Sequence, residues 1–81
     1  MIDINTVMLV GRAGQNPEIK YYENGKTKAY FNLAVDRPRS TPDAEIQTDW
    51  FRIELWGRQA EVANEYIKKG SLVGVRGRLE F

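Results

Sequence analysis

Residues 49–57, DWFRIELWG, decide how this chain is read. In an extended strand, successive side chains point to opposite faces. Phe51, Ile53 and Leu55 therefore share one face, and Trp50, Arg52, Glu54 and Trp56 share the other. The first row has the composition of a core. The second carries an indole at each end with charges between, which is unusual for a plain solvated surface. The two tryptophans are six residues apart, roughly 20 Å along a strand. That distance is too long for the rings to stack on each other and suits two separate platforms.

Before this strand, residues 18–36 read as a hairpin. Asn24-Gly25 lies between β-favouring runs and predicts a tight type I′ turn. In the second run Ala29, Phe31, Leu33 and Val35 form a core face, leaving Lys28, Tyr30, Asn32 and Ala34 opposite. Residues 6–12, TVMLVGR, make an earlier strand with large apolar side chains on both parities. Such a strand needs cover on both faces, and a second subunit is the expected cover for Met8 and Val10. Gly11 and Gly14 permit a bend or bulge there. Residues 37–47, with two of the three prolines, form one long connection inside the domain.

After Gly57, residues 58–70 predict a helix. Ala60, Ala63 and Ile67 recur at helical spacing, Val62 and Tyr66 widen the stripe, and Lys68, Lys69 and Gly70 suit its C-terminal end. Residues 71–79 then predict a last strand with Val73, Val75 and Leu79 inward and Gly74, Arg76 and Arg78 outward. The order is strand, hairpin, strand, helix, strand. It predicts a mainly β fold, a small Greek-key barrel of the oligonucleotide/oligosaccharide-binding (OB) type with one helix between the third and fourth long strands. A generic α+β domain is the alternative.

Length and composition bound the rest. A chain of 81 residues is one domain, residues 1–81, with a modest core. It has no cysteine and no histidine, which removes disulfides and the usual zinc ligands and makes oligomerisation the expected support. Absence of cysteine fits a reducing cytoplasm. No signal peptide or membrane-length apolar run is evident, so a soluble cytosolic chain is expected, with no membrane partner. With 12 basic and 11 acidic residues the net charge is +1. Any electrostatic footprint must come from placement, not from totals.

Most catalytic chemistry finds no residues to carry it. GKT at residues 25–27 resembles the end of a phosphate-binding loop, but the glycine required five residues earlier is Lys20. There is no histidine base and no cysteine nucleophile. Asp43, Glu45 and Asp49 fit a solvated loop better than a metal site. No enzymatic role or metal is expected. What remains is the aromatic and basic face, because bases stack on aromatic rings and Arg and Lys neutralise phosphates. The pattern alone leaves a second reading open, in which the tryptophans cover a subunit interface or pack under the long loop.

VMLVGRAGQNPEIKYYENGK, FNLAV and DWFRIELWGRQAEVANEYIKKGSLVGVRGRL together closely resemble the bacterial single-stranded DNA-binding protein family, from about Asn5 to Leu79. The resemblance implies an OB fold, a homotetramer, and sequence-tolerant wrapping of single strands in replication, recombination and repair, in the cytoplasm at the nucleoid, with no cofactor. Family stacking positions fall on Trp50 and Trp56, and Tyr21 matches an aromatic of the first hairpin. Arg37 and Arg39 stand where the family often has another aromatic. Tyr30 is a further stacking candidate. Arg12, Lys28, Arg37, Arg39, Arg52, Arg58, Arg76 and Arg78 are candidate phosphate contacts, about half of them expected to be ordinary surface residues.

Family members continue with another hairpin, a closing strand and an acidic tail that recruits replication and repair proteins. Those parts are expected to lie outside this chain, leaving an open edge. Two further functions are weighed: a protein-interaction module of the primosome type on the same fold, and an RNA binder.

Overall fold

The structure is a computed structural model and describes residues 3–81. Five strands and one helix follow in the order β1 (Val7–Ala13), β2 (Glu18–Tyr21), β3 (Thr27–Asp36), β4 (Thr48–Trp56), α1 (Arg58–Tyr66) and β5 (Leu72–Gly77). This is the mainly β, single-helix order that the hydrophobic patterning predicts. Every strand pair is antiparallel.

The longest strand, β3, is the spine. All of it but Thr27 pairs with β4, from Lys28↔Trp56 to Asp36↔Thr48. Its other edge takes β2 at one end and β1 further along, through Arg12↔Ala34 and Ala13↔Leu33. β1 carries β5 on its far side. Among the described residues no ladder joins β4 to β5, so the sheet is open there, as expected. An open cleft between them is lined by Leu55, Trp56, Val75 and Arg76 among others.

The predicted core row is inside. Ala29, Phe31 and Leu33 of β3, Ile53 of β4 and Ala13 of β1 are buried, and Leu9, Val35, Phe51, Leu55, Ile67, Val73 and Val75 pack around them. Fully burying a side chain such as Phe31 or Leu33 contributes about 1.5–3 kcal/mol. Ala60 and Ala63 seat α1 on the sheet, where their small side chains allow close approach.

Four local expectations are corrected. The hairpin does not use a type I′ turn, which needs positive φ at both central residues. Only Gly25 has positive φ (84°), and the Gly25 N–H donates to the Tyr22 carbonyl while the Tyr22 N–H donates to that of Lys26. The loop thus has three residues, Glu23, Asn24 and Gly25, one more than a two-residue turn, and Tyr22 opposes Lys26 at its base.

The helix ends at Tyr66, not at Gly70. Ile67 is extended (φ −87°, ψ 131°) and turns into the core. The next N–H groups find partners outside the helix: Lys68 N–H donates to Ser71 Oγ and Lys69 N–H to Asn16 Oδ1. Those bonds compete with a further helical turn. Lys68 and Lys69 therefore lie beyond the helix, and Gly70 shapes the entry to β5.

Val62 and Tyr66 are exposed and do not widen the buried stripe. Leu79 lies past the end of β5 and is exposed as well. Gly57 links β4 to α1 with φ 63° and ψ −132°, a conformation essentially restricted to glycine.

Candidate nucleic-acid interface

The β3–β4 register builds the face opposite the core. Directly opposed residues share a side of the sheet. Lys28 and Tyr30 of β3 thus stand with Trp50, Arg52, Glu54 and Trp56 of β4. The same register puts Phe31 opposite Ile53 and Leu33 opposite Phe51 on the buried side. The indoles are outside, with Trp50 61% and Trp56 49% exposed.

Each indole has a distinct setting. Trp50 rests against the backbone of Gly14, where a Cβ would lie 2.6 Å from its ring edge. Trp56 stacks on Tyr22, with centroids 6.0 Å apart and planes inclined by 24°. Lys28 Nζ lies 5.5 Å from the centre of the Trp56 ring. Such contacts hold a ring in a set orientation before anything binds.

Between the indoles the charges are coupled. Glu54 Oε1 accepts from Lys28 Nζ at 3.1 Å and from Arg52 Nε at 3.0 Å. Hydrogen bonds from Arg52, then Lys28, hold the Glu54 carboxyl below its ordinary pKa. The Arg52 guanidinium lies 4.2 Å from the centre of the Tyr30 ring and covers it. A hydrogen bond to Glu18, then desolvation, raises the Tyr30 pKa from its ordinary value. Tyr30 is therefore a partly covered ring, less open than either indole.

The remaining candidates scatter. Arg12 shares the outer face through its pairing with Ala34 and donates to the Gly70 carbonyl. Arg37 forms a two-pronged pair with Asp49, both bonds 2.9 Å, and also reaches Gln47. That pair raises the Arg37 pKa and lowers that of Asp49, chiefly through the hydrogen bonds. Arg39 donates to the Pro42 carbonyl in the long loop, and Arg78 pairs with Glu80. Arg76 points outward from β5 opposite Met8, and Arg58 opens the helix; both are exposed.

Tyr21 is set apart. It pairs with Thr27, which puts it on the parity of the core row, although it is 71% exposed at the end of the sheet. Its neighbour Tyr22 is the aromatic that joins the face, and sequence reasoning missed it. The available signal was YY before the turn: one of two adjacent tyrosines must face each way, and only the true turn geometry selects which.

Two apolar side chains on β1, Met8 and Val10, are 76% and 65% exposed, with Leu72 of β5 beside them. Among the described residues no group of three or more acidic, His or Cys side chains gathers in a metal-binding arrangement, and no helix is long and apolar enough to cross a membrane.

Comparisons with known proteins bear on this face. The profile described as "Single-strand binding protein family" matches residues 4–81. Single-stranded DNA-binding protein 1 of Nostoc sp. is 52% identical over 80 residues, covering 99% of this chain and 64% of the relative. Its namesake in Synechocystis sp. is 49% identical over 80 residues, with the same coverage of both chains. The single-stranded DNA-binding protein of Halalkalibacterium halodurans is 46% identical over 77 residues, covering 95% of this chain and 46% of the relative. The chain thus spans less than two thirds of the length of these relatives. The match runs through every strand, the helix and both indole positions, and by it this chain belongs to the single-strand binding protein family.

Proposed function

We propose that this chain binds single-stranded DNA with little sequence preference, stacking bases on Trp50 and Trp56 and drawing phosphates to the cations beside them. The observation that carries the reading is two half-exposed indoles on one strand face, each oriented by a neighbour, with Lys28 and Arg52 between them. Every base has an apolar ring face, so stacking tolerates sequence and contributes about 1–3 kcal/mol per base. The cations Lys28 and Arg52 beside these rings, which a phosphate backbone can use, favour this reading over one in which the indoles serve a protein-interaction module.

The remaining roles follow the family. Participation in replication, recombination and repair, at the nucleoid in the cytoplasm, is part of the proposal, as is assembly into a homotetramer. The exposed row Met8, Val10 and Leu72 supports self-association, because apolar side chains grouped on one sheet face gain from being covered. Recruitment of replication and repair proteins by an acidic tail is proposed for full-length relatives. No catalytic step, metal or cofactor enters the proposal.

Titration with poly-thymidine across salt concentrations is the test. Tryptophan fluorescence should be quenched, and affinity should fall as salt rises. Trp50→Ala and Trp56→Ala should each weaken binding by about 1–3 kcal/mol. Unchanged affinity in both variants refutes the stacking assignment. Competition between matched DNA and RNA oligomers decides the sugar preference, since stacking does not read the 2′-hydroxyl.

A further inference from the structure

We infer that Glu54 is a built-in competitor for phosphate, which holds the central cations of the face and weakens its grip on a bound strand. The inference rests on the binding reading above and goes beyond it, because it assigns a role to the one residue of the row that is wrong for that purpose.

Glu54 stands between the two indoles, directly opposite Tyr30. A single oxygen, Oε1, accepts from both Lys28 and Arg52. Those are the two cations nearest the rings: Lys28 lies against Trp56 and Arg52 against Tyr30. A phosphate oxygen and a carboxylate oxygen offer these donors the same chemistry, an anionic acceptor at hydrogen-bond distance. A strand entering the face must therefore displace Glu54 or share its cations. Either way part of the electrostatic gain is already taken up in the free protein. Glu54 is also about one third exposed, so its carboxylate lies where an incoming phosphate can contest the pairs.

The arrangement has a distinct salt signature. Where a carboxylate already neutralises a cation, phosphate binding leaves that carboxylate to gather a counterion from solution. Fewer ions are then released on balance, and the dependence of affinity on salt is shallower than the number of cations implies. Removing the charge at position 54 should restore both affinity and slope.

The test uses Glu54→Gln and, as a second neutral side chain suited to a strand, Glu54→Thr. Both are titrated with poly-thymidine across salt concentrations beside the wild-type chain, with thermal melting to verify folding. Both variants should bind about three- to tenfold tighter at low salt. The plot of log affinity against log salt should steepen by about one. Affinity equal to or below wild type, or an unchanged slope in folded variants, overturns the inference and leaves Glu54 as an orienting residue. A wild-type chain that does not bind at any salt refutes the binding reading itself, and this inference falls with it.

Discussion

One methyl group, added at either of two glycines near the end of β1, should damage two different properties of the molecule. At Gly11 a Cβ would lie 2.2 Å from the Ala34 carbonyl oxygen and 3.0 Å from Val35 Cγ2. The obstacle is backbone of β3, so the strands must part by about 1 Å in an interior with no slack. They part where β1 joins the spine through the short ladder at Arg12↔Ala34 and Ala13↔Leu33. Overpacking costs about 1–3 kcal/mol, and loss of one ladder hydrogen bond adds about 1 kcal/mol. Gly11→Ala should thus cost about 2–4 kcal/mol of stability, or roughly 10–30 °C in Tm for a domain of this size.

At Gly14 the obstacle is the edge of Trp50, with Cζ3 at 2.6 Å and Cη2 at 3.1 Å. That ring is exposed and can swing aside. The clash is partly offset by the smaller entropy of the unfolded alanine chain, about 0.4–1 kcal/mol. Gly14→Ala should therefore leave stability within about 1 kcal/mol of wild type. It moves a base platform, however, and should weaken poly-thymidine binding by about 1 kcal/mol, or roughly fivefold. Urea unfolding and fluorescence titration at fixed salt read the two effects separately. The reasoning is refuted if Gly14→Ala loses as much stability as Gly11→Ala while its folded molecules bind like wild type.

Two further outcomes follow from the same face. Tyr22→Ala removes the stacking partner of Trp56 and should weaken binding by about 0.5–1.5 kcal/mol. It should also change the Trp56 emission before DNA is added, whereas Tyr22→Phe should preserve both properties; equal loss in the two variants would deny a role to the ring. Acidification tests the ion pairs. Asp49 and Glu54 have folded pKa values below their ordinary ones. Their contribution is complete above the ordinary carboxylate range and is lost as pH falls through the depressed folded values. The Tm should accordingly fall less steeply on acidification in the Asp49→Asn, Glu54→Gln double variant than in wild type, and parallel curves would show that the pairs do not couple to folding.

Alternation alone located both rows of β3 and β4, because a half-buried strand must place every second residue inside. The loop at residues 37–47 was legible to the residue, since prolines and lost periodicity mark where pairing stops. The errors lie where tertiary partners outweigh local preference. Asn16 and Ser71 capture the N–H groups that would have extended the helix to Gly70. Their effect is invisible to helical spacing, because Asn16 is 53 residues away from the amide it holds. The Tyr22–Trp56 stack depends likewise on a turn whose type Asn24-Gly25 does not specify by itself. Indole spacing was readable, but the coupling of Glu54 to both cations needed the register of two strands.

The closure of the long loop carries a last consequence. The ladder between β3 and β4 runs to its final pair, Asp36↔Thr48, where Thr48 Oγ1 donates to Asp36 Oδ1 at 2.6 Å. The Arg37 N–H donates to the Gln47 carbonyl, and the Arg37 guanidinium clasps Asp49 just beyond. The hinge is thus fastened at its root, so residues 38–46 are free to lengthen, shorten or change without sliding one strand past the other. The span between the indoles behaves as a ruler fixed by the hydrophobic row behind it, while the loop beside it is open to variation.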